Sequence, residues 1–212
     1  YAPQTAEALI ETIPISGNLD HFWKDMLELE ENGEIIKTRF GTYGLPEKMG
    51  LVVGRFQLTS KGFGFVIPDN KGERPDVFIP PRALGGAMNN DRVMARVESS
   101  SGGNKPEGEI IRIITHANNK IVGIFHQSGD FGFVTPDDKR IGQDIYIMKR
   151  HFGGAKTNQK VVAEITEWPV ERRNAEGKII EILGNVGDVG LEILSIIKQN
   201  DLPLECETAW QR

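Results

Sequence analysis

An aromatic-glycine run that occurs twice, each time with the same companion strand behind it, constrains this chain more than any other feature. Lys61-Gly62-Phe63-Gly64-Phe65-Val66 precedes Asp76-Val77-Phe78-Ile79-Pro80, and Asp130-Phe131-Gly132-Phe133-Val134 precedes Asp144-Ile145-Tyr146-Ile147. Gly64 and Gly132, Asp76 and Asp144, and Ile79 and Ile147 all stand 68 positions apart. The repeat reaches further: Val53-Gly54-Arg55-Phe56 returns as Val122-Gly123-Ile124-Phe125, with one residue fewer in the turn that follows, and Val93–Val97 returns as Val161–Ile165. Solenoid units repeat at roughly 20–50 residues, so this longer period marks a duplicated small domain. Each copy offers about five short β-branched runs separated by Gly, Pro, Asn and Asp, the pattern of an all-β barrel.

Alternate side chains of a strand share a face. Phe63 and Phe65 therefore point together, with Gly64 and Val66 opposite; Phe78 and Pro80 share a face and leave Val77 and Ile79 for the core. Phe131, Phe133 and Tyr146 repeat the arrangement. The glycines between the rings are expected to keep the strand surface low, and Val66, Ile67, Val77 and Ile79 to supply the opposite, inward face. Paired rings on neighbouring strands are what a single-stranded nucleic acid stacks on, at about 1–3 kcal/mol per base whatever the sequence. Arg55 and Lys61 flank the first platform and suit phosphates. Phe56 and Phe125, one strand earlier, complete the candidate contact set, although a strand phenylalanine is core more often than not.

Charge points the same way once it is located. The net charge of -5 hides residues 1–47 with three basic and nine acidic side chains, and residues 48–98 with eight basic and five acidic. The first barrel carries the basic excess, and local charge governs phosphate attraction. The single cysteine, Cys206, excludes an internal disulfide framework and a cysteine zinc site and suggests a reducing compartment. The four histidines lack ligand spacing and read as surface or loop residues. No apolar run approaches the roughly 18 residues of a membrane span. A cytoplasmic, monomeric protein without membrane contact is expected. Asp137-Asp138, the adjacent carboxylate pair, follows Pro136 and reads as a turn rather than a metal site. No nucleophile triad and no phosphate-cradling glycine loop can be argued from spacing.

Ahead of the barrels, Thr5–Thr12 is a short helical candidate. Asp20 is a plausible N-cap for a helix to about Glu31, with Phe22, Met26, Leu27 and Leu29 near its buried face. Asn32-Gly33 stops that helix, and Glu34–Thr38 with Phe40–Tyr43 form a two-stranded wing hinged about Gly41. Ser99–Pro106 is a mobile loop by composition, inside the first barrel; Glu171–Gly177 takes its place in the second. Leu191–Gln199 forms one short helix. The expected domains are residues 1–50, a winged-helix-like segment; 51–116 and 117–184, the barrels; and 185–212, a connector.

Lys61–Val66 with Asp76–Pro80 resembles the paired ribonucleoprotein motifs of cold shock domains, which are OB-fold barrels. Together with the tandem arrangement and the phrases Tyr43-Gly44-Leu45-Pro46-Glu47-Lys48-Met49 and Arg140-Ile141-Gly142-Gln143-Asp144-Ile145, it resembles the N-terminal region of the ribonuclease R family. The resemblance implies a mainly β chain, two tandem five-stranded OB-fold barrels behind a small α/β winged-helix-like segment. It implies single-stranded RNA binding, or binding of structured RNA with a single-stranded 3′ end, and delivery to a processive 3′-to-5′ exoribonuclease. The family's magnesium-binding aspartate cluster has no match in this chain, so no cofactor and no catalytic residue are expected here, and magnesium is expected in a following domain. Pro80 and Met148 depart from the histidine often found after the second motif, and Asp130 replaces Lys61-Gly62, which puts phosphate attraction in the second barrel in doubt. A stand-alone tandem cold shock chaperone and a winged-helix nucleic-acid-binding regulator are the alternatives. The acidic first segment, with Lys24 alone between His21 and Glu31, disfavours the last.

Overall fold

The structure, a computed structural model, describes residues 2–13, 18–70, 74–98, 106–170, 173–200 and 202. The chain divides into two compact units, Tyr1–Ala117 and Asn118–Arg212.

The first unit opens with a small α/β segment: β1 (Gln4–Thr5), α1 (Ala6–Thr12), α2 (Leu19–Glu31), β2 (Ile36–Lys37) and β3 (Thr42–Gly44), with the sheet ordered β1-β3-β2. Thr5 caps α1 by accepting from the Ala8 amide. Asn18, not Asp20, caps α2: its side chain accepts from the Asp20 amide, and Asp20 falls in the first turn, where the helix dipole favours a carboxylate. Met26 is buried with Ala6 and Tyr43, and Phe22, Leu9 and Ile35 pack against them. Leu27, expected near that face, is 59% exposed, because it follows Met26 by about 100° around the helix. Gly33 at φ +71° and Gly41 at φ +76° make the helix stop and the wing turn.

A five-stranded closed barrel follows: β4 (Leu51–Leu58), β5 (Gly64–Pro68), β6 (Val77–Ile79), β7 (Arg92–Glu98) and β8 (Glu107–Thr115), paired in the order β4-β5-β6-β8-β7. The second unit repeats it with β9 (Lys120–Ser128), β10 (Phe131–Pro136), β11 (Ile145–Met148), β12 (Gln159–Glu167) and β13 (Glu176–Asn185), closed as β10-β11-β13-β12-β9. In both, the third and fifth strands pair parallel and the other pairings are antiparallel. Register shifts fall at matching places, between Met94 and Ala95 and between Val162 and Ala163. Such bulges bend a strand and let a small sheet close. Asn90 (φ +71°) and Asn158 (φ +67°) repeat a left-handed turn, each donating its amide to the core phenylalanine carbonyl, Phe56 or Phe125. The first strands read inward on alternate residues, so Phe56 packs with Val52, Val66, Val77, Ile79 and Val93 in the first core. Phe125 meets Phe152 edge-on at 4.9 Å in the second.

The loop expected over Ser99–Pro106 falls between β7 and β8; residues 99–105 lie outside the described residues, as do Glu171 and Arg172 of its counterpart and Cys206. The last helix, α3 (Leu191–Gln199), sits on its own barrel through Leu191 and Ser195. It is tied there by Lys160–Glu192 at 3.4 Å and Lys198–Glu181 at 2.9 Å. No described helix is long and apolar enough to cross a membrane.

Candidate nucleic-acid interface

The outer face of the first barrel gathers three rings. Phe65 stands opposite Phe78 across the β5–β6 pair. Phe63, at the exit of the preceding turn, closes the triangle, with ring centroids 5.6 to 5.9 Å apart. All three are half-buried. The turn is Ser60-Lys61-Gly62, made possible by Gly62 at φ +84° and held by Thr59, whose amide and hydroxyl both donate to the Phe63 carbonyl. Arg55 lies on the same face, opposite Ile67 and next to Gln57, which faces Phe65. Arg55 and Lys61 are exposed and engage in no ion pair among the described residues.

The second barrel arranges its rings differently. Phe133 faces Tyr146 on β11 and His126 on β9, and its ring stacks on His126 at 5.3 Å and 29°. Phe131, 42% exposed, stacks on Tyr146 at 5.7 Å and 24°. The face thus presents two nearly parallel ring pairs, where the first barrel has edge-on and tilted contacts. Its turn is the two-residue Gly129-Asp130, one residue shorter than Ser60–Gly62, as the repeat spacing anticipates.

Several expectations need correction. Phe56 and Phe125 are 0% exposed and cannot stack a base; both point into the barrels. The intervening polar residues Arg55 and Gln57 take the outer face, which leaves Phe56 inside. Gly64 and Gly132 do not lower the binding surface. They point inward, and a Cβ there would collide with the Phe56 and Phe125 rings respectively. Ile67 alternates outward beside Phe65, and Pro80 is buried, because the strand ends at Ile79 and a 3-10 turn over Pro81–Ala83 begins. His126 was not anticipated; its ring type and its place opposite Phe133 once the shorter turn is counted were the available signal. His116 is no loose surface histidine: its Nδ1 lies 3.0 Å from Oδ2 of the fully buried Asp91, which also accepts from the Met88 and Ala117 amides.

The carboxylates of Asp137 and Asp138 are committed to cations. Lys160, nearly buried, meets Asp137 at 3.0 Å; burial alone would favour its neutral form, but Asp137 and Glu192 raise its pKa above the ordinary value. Asp138 accepts from the Arg140 amide and guanidinium. Burial would raise its pKa, yet those bonds hold it below the ordinary carboxylate value. Among the described residues, no group of three or more His, Cys, Asp or Glu side chains is placed to hold a metal ion.

Comparison with known proteins agrees with this geometry. Residues 54–113 match the ribonuclease B OB domain and residues 133–205 the cold shock domain. Ribonuclease R of Thermotoga maritima is 36% identical over 83% of this chain, and that of Vibrio parahaemolyticus 30% identical over 99%. The chain is similar to the N-terminal region of ribonuclease R. It spans about a quarter of the length of these relatives, 24% and 26%. Among solved structures, Mycoplasma genitalium RNase R in complex with ribose methylated single-stranded RNA superposes with a TM-score of 0.65 at 20% identity, over 73% of this chain and 25% of that one. Yeast Ssd1, described as a pseudonuclease, superposes with a TM-score of 0.62 at 16% identity, over 74% of this chain and 25% of that one. At such identities the two structures speak for the fold alone. A fold similar to that of this chain thus occurs in an RNase R and in a protein described as a pseudonuclease.

Proposed function

We propose that this chain is the RNA-binding, non-catalytic part of a 3′-to-5′ exoribonuclease of the ribonuclease R type. The observation that carries the reading is the pair of ring clusters on the outer faces of two barrels whose inner faces are already filled. Aromatic side chains that a core does not need, set beside Arg55 and Lys61, which are exposed and in no ion pair among the described residues, form a stacking surface with phosphate partners. Phe63, Phe65 and Phe78 serve the first barrel; Phe131, Phe133, Tyr146 and His126 serve the second. The similarity to ribonuclease R supports RNA as the nucleic acid, as does the single-stranded RNA bound by the Mycoplasma relative. These platforms would hold a substrate with a single-stranded 3′ end for a magnesium-dependent active site outside this chain, in the cytoplasm and with the protein as a monomer.

Two assays test the reading on one preparation. Fluorescence anisotropy with a labelled oligouridylate should show binding that weakens with salt, and incubation of the same probe with magnesium should leave its length unchanged. Magnesium-dependent shortening from the 3′ end would refute the division of labour; absence of binding at low salt would refute the interface.

A further inference from the structure

The two rims differ by a transposition. In the first barrel the turn before the platform carries Lys61, and Pro81 stands two residues past the end of the companion strand at Ile79. At the corresponding positions of the second barrel, 68 residues on, stand Gly129 and Lys149. The cation has moved from one side of the leading ring to the other. Phe131 pairs in register with Met148, so Lys149 emerges beside the most exposed ring of the second platform. There its Nζ lies 2.6 Å from Oδ1 of Asp130, and its amide donates to the Asp130 carbonyl at 3.3 Å. Both side chains are open to solvent, 65% and 87% exposed. The hydrogen bond from Lys149, and then its charge, pull the Asp130 carboxyl below its ordinary value, which keeps it ionised.

We infer that Lys149 is the phosphate-contacting cation of the second barrel, and that the Asp130 carboxylate occupies the place of an RNA phosphate until one displaces it. The inference rests on the RNA-stacking reading of Phe131 and its neighbours. A carboxylate and a phosphodiester each offer one negative charge and paired oxygens to an ammonium, so one can replace the other without stranding the lysine. Exposed ion pairs of this kind are weak, and Asp130 is solvated once released, so the exchange has little to overcome. The consequence is asymmetry. Lys61, in no ion pair among the described residues, meets a phosphate as a cation and releases counterions, whereas the Lys149–Asp130 pair is neutral as a unit and adds little to the salt dependence of binding. The second rim's contribution is stacking first, with charge available only where a phosphate is positioned well enough to outcompete Asp130.

The test is a salt titration of oligouridylate binding between about 50 and 200 mM, read by anisotropy on the whole chain. Asp130→Asn should tighten binding and steepen the log–log salt slope by up to about 0.7, the value of one phosphate contact on a single strand. Asp130→Asn combined with Lys149→Met should lose that gain. Glu164→Gln, which frees Lys178 from its pair at 2.6 Å elsewhere on the same barrel, changes net charge equally and should leave the slope alone. An unchanged slope in Asp130→Asn, a gain that survives in the double variant, or an equal gain in Glu164→Gln would overturn the assignment. Phe131→Ala separates the two levels. If it weakens binding while Asp130→Asn is silent, the platform stands and Lys149 alone is dismissed; if it binds as the parent does, the platform reading fails and takes this one with it.

Discussion

Phe56 and Phe65 are two phenylalanines of one hairpin whose truncation should have opposite consequences. Phe56 is fully buried and touches the side chains that define the first core, so Phe56→Ala should cost about 3–5 kcal/mol of folding stability. Phe65 loses less. Its side chain is only partly buried, but its ring also makes contacts at 5.9 Å with Phe63 and 5.7 Å with Phe78, each worth about 0.5–1.5 kcal/mol. Phe65→Ala should therefore destabilise the fold by about 1–3 kcal/mol, within what most domains tolerate. Its binding loss should be about 1–3 kcal/mol, which is roughly a 5- to 150-fold rise in Kd. Urea unfolding and anisotropy on the same samples give both numbers, with Kd corrected to the folded fraction. Phe56→Ala, where it still folds, should bind normally per folded molecule. If Phe65→Ala kept its affinity per folded molecule, or if Phe56→Ala proved as stable as the parent, the assignment of faces would be wrong and the stacking argument would fall with it.

Other outcomes follow from single positions. Gly132→Ala forces a methyl group against the Phe125 ring and should destabilise the second barrel by about 1–3 kcal/mol in urea unfolding, although the residue lies between two surface rings. Lys61→Ala should flatten the salt slope of RNA binding by up to about 0.7, and no change would remove Lys61 from the phosphate contacts. Asp138 has a folded pKa below its ordinary value of 3.8. Its pairing with Arg140 should thus stabilise the fold fully above that pH and lose effect as pH falls through the folded value. Asp138→Asn should accordingly unfold with less dependence on acid than the parent, as circular dichroism over a pH series would show.

The chain's own pattern determined the duplication, the five strands per copy, the tail helix at Leu191–Gln199 and the outward placement of Phe65, Phe78, Phe133 and Tyr146. These are local or periodic properties: a strand presents alternate residues, and glycine, proline and asparagine mark where it stops. Where the periodicity lapsed, so did the reading. Pro80 follows the end of a strand, so alternation no longer applied to it, and Asn18 won the helix cap from Asp20 because both residue types can cap and only the path of the backbone chooses. Phe56 could have been placed inside from the polar Arg55 and Gln57 around it. What lay beneath it could not, since the inward turn of Gly64 against that ring joins two strands through their register. The same holds for His126 on Phe133 and for Lys149 on Asp130, pairs 7 and 19 residues apart that the hairpin and the companion strand bring together. Sequence carried which face each strand shows. Only closure of the barrels decided which side chains meet across that face, because contact depends on the register between strands, and register is fixed by the packing of all five at once.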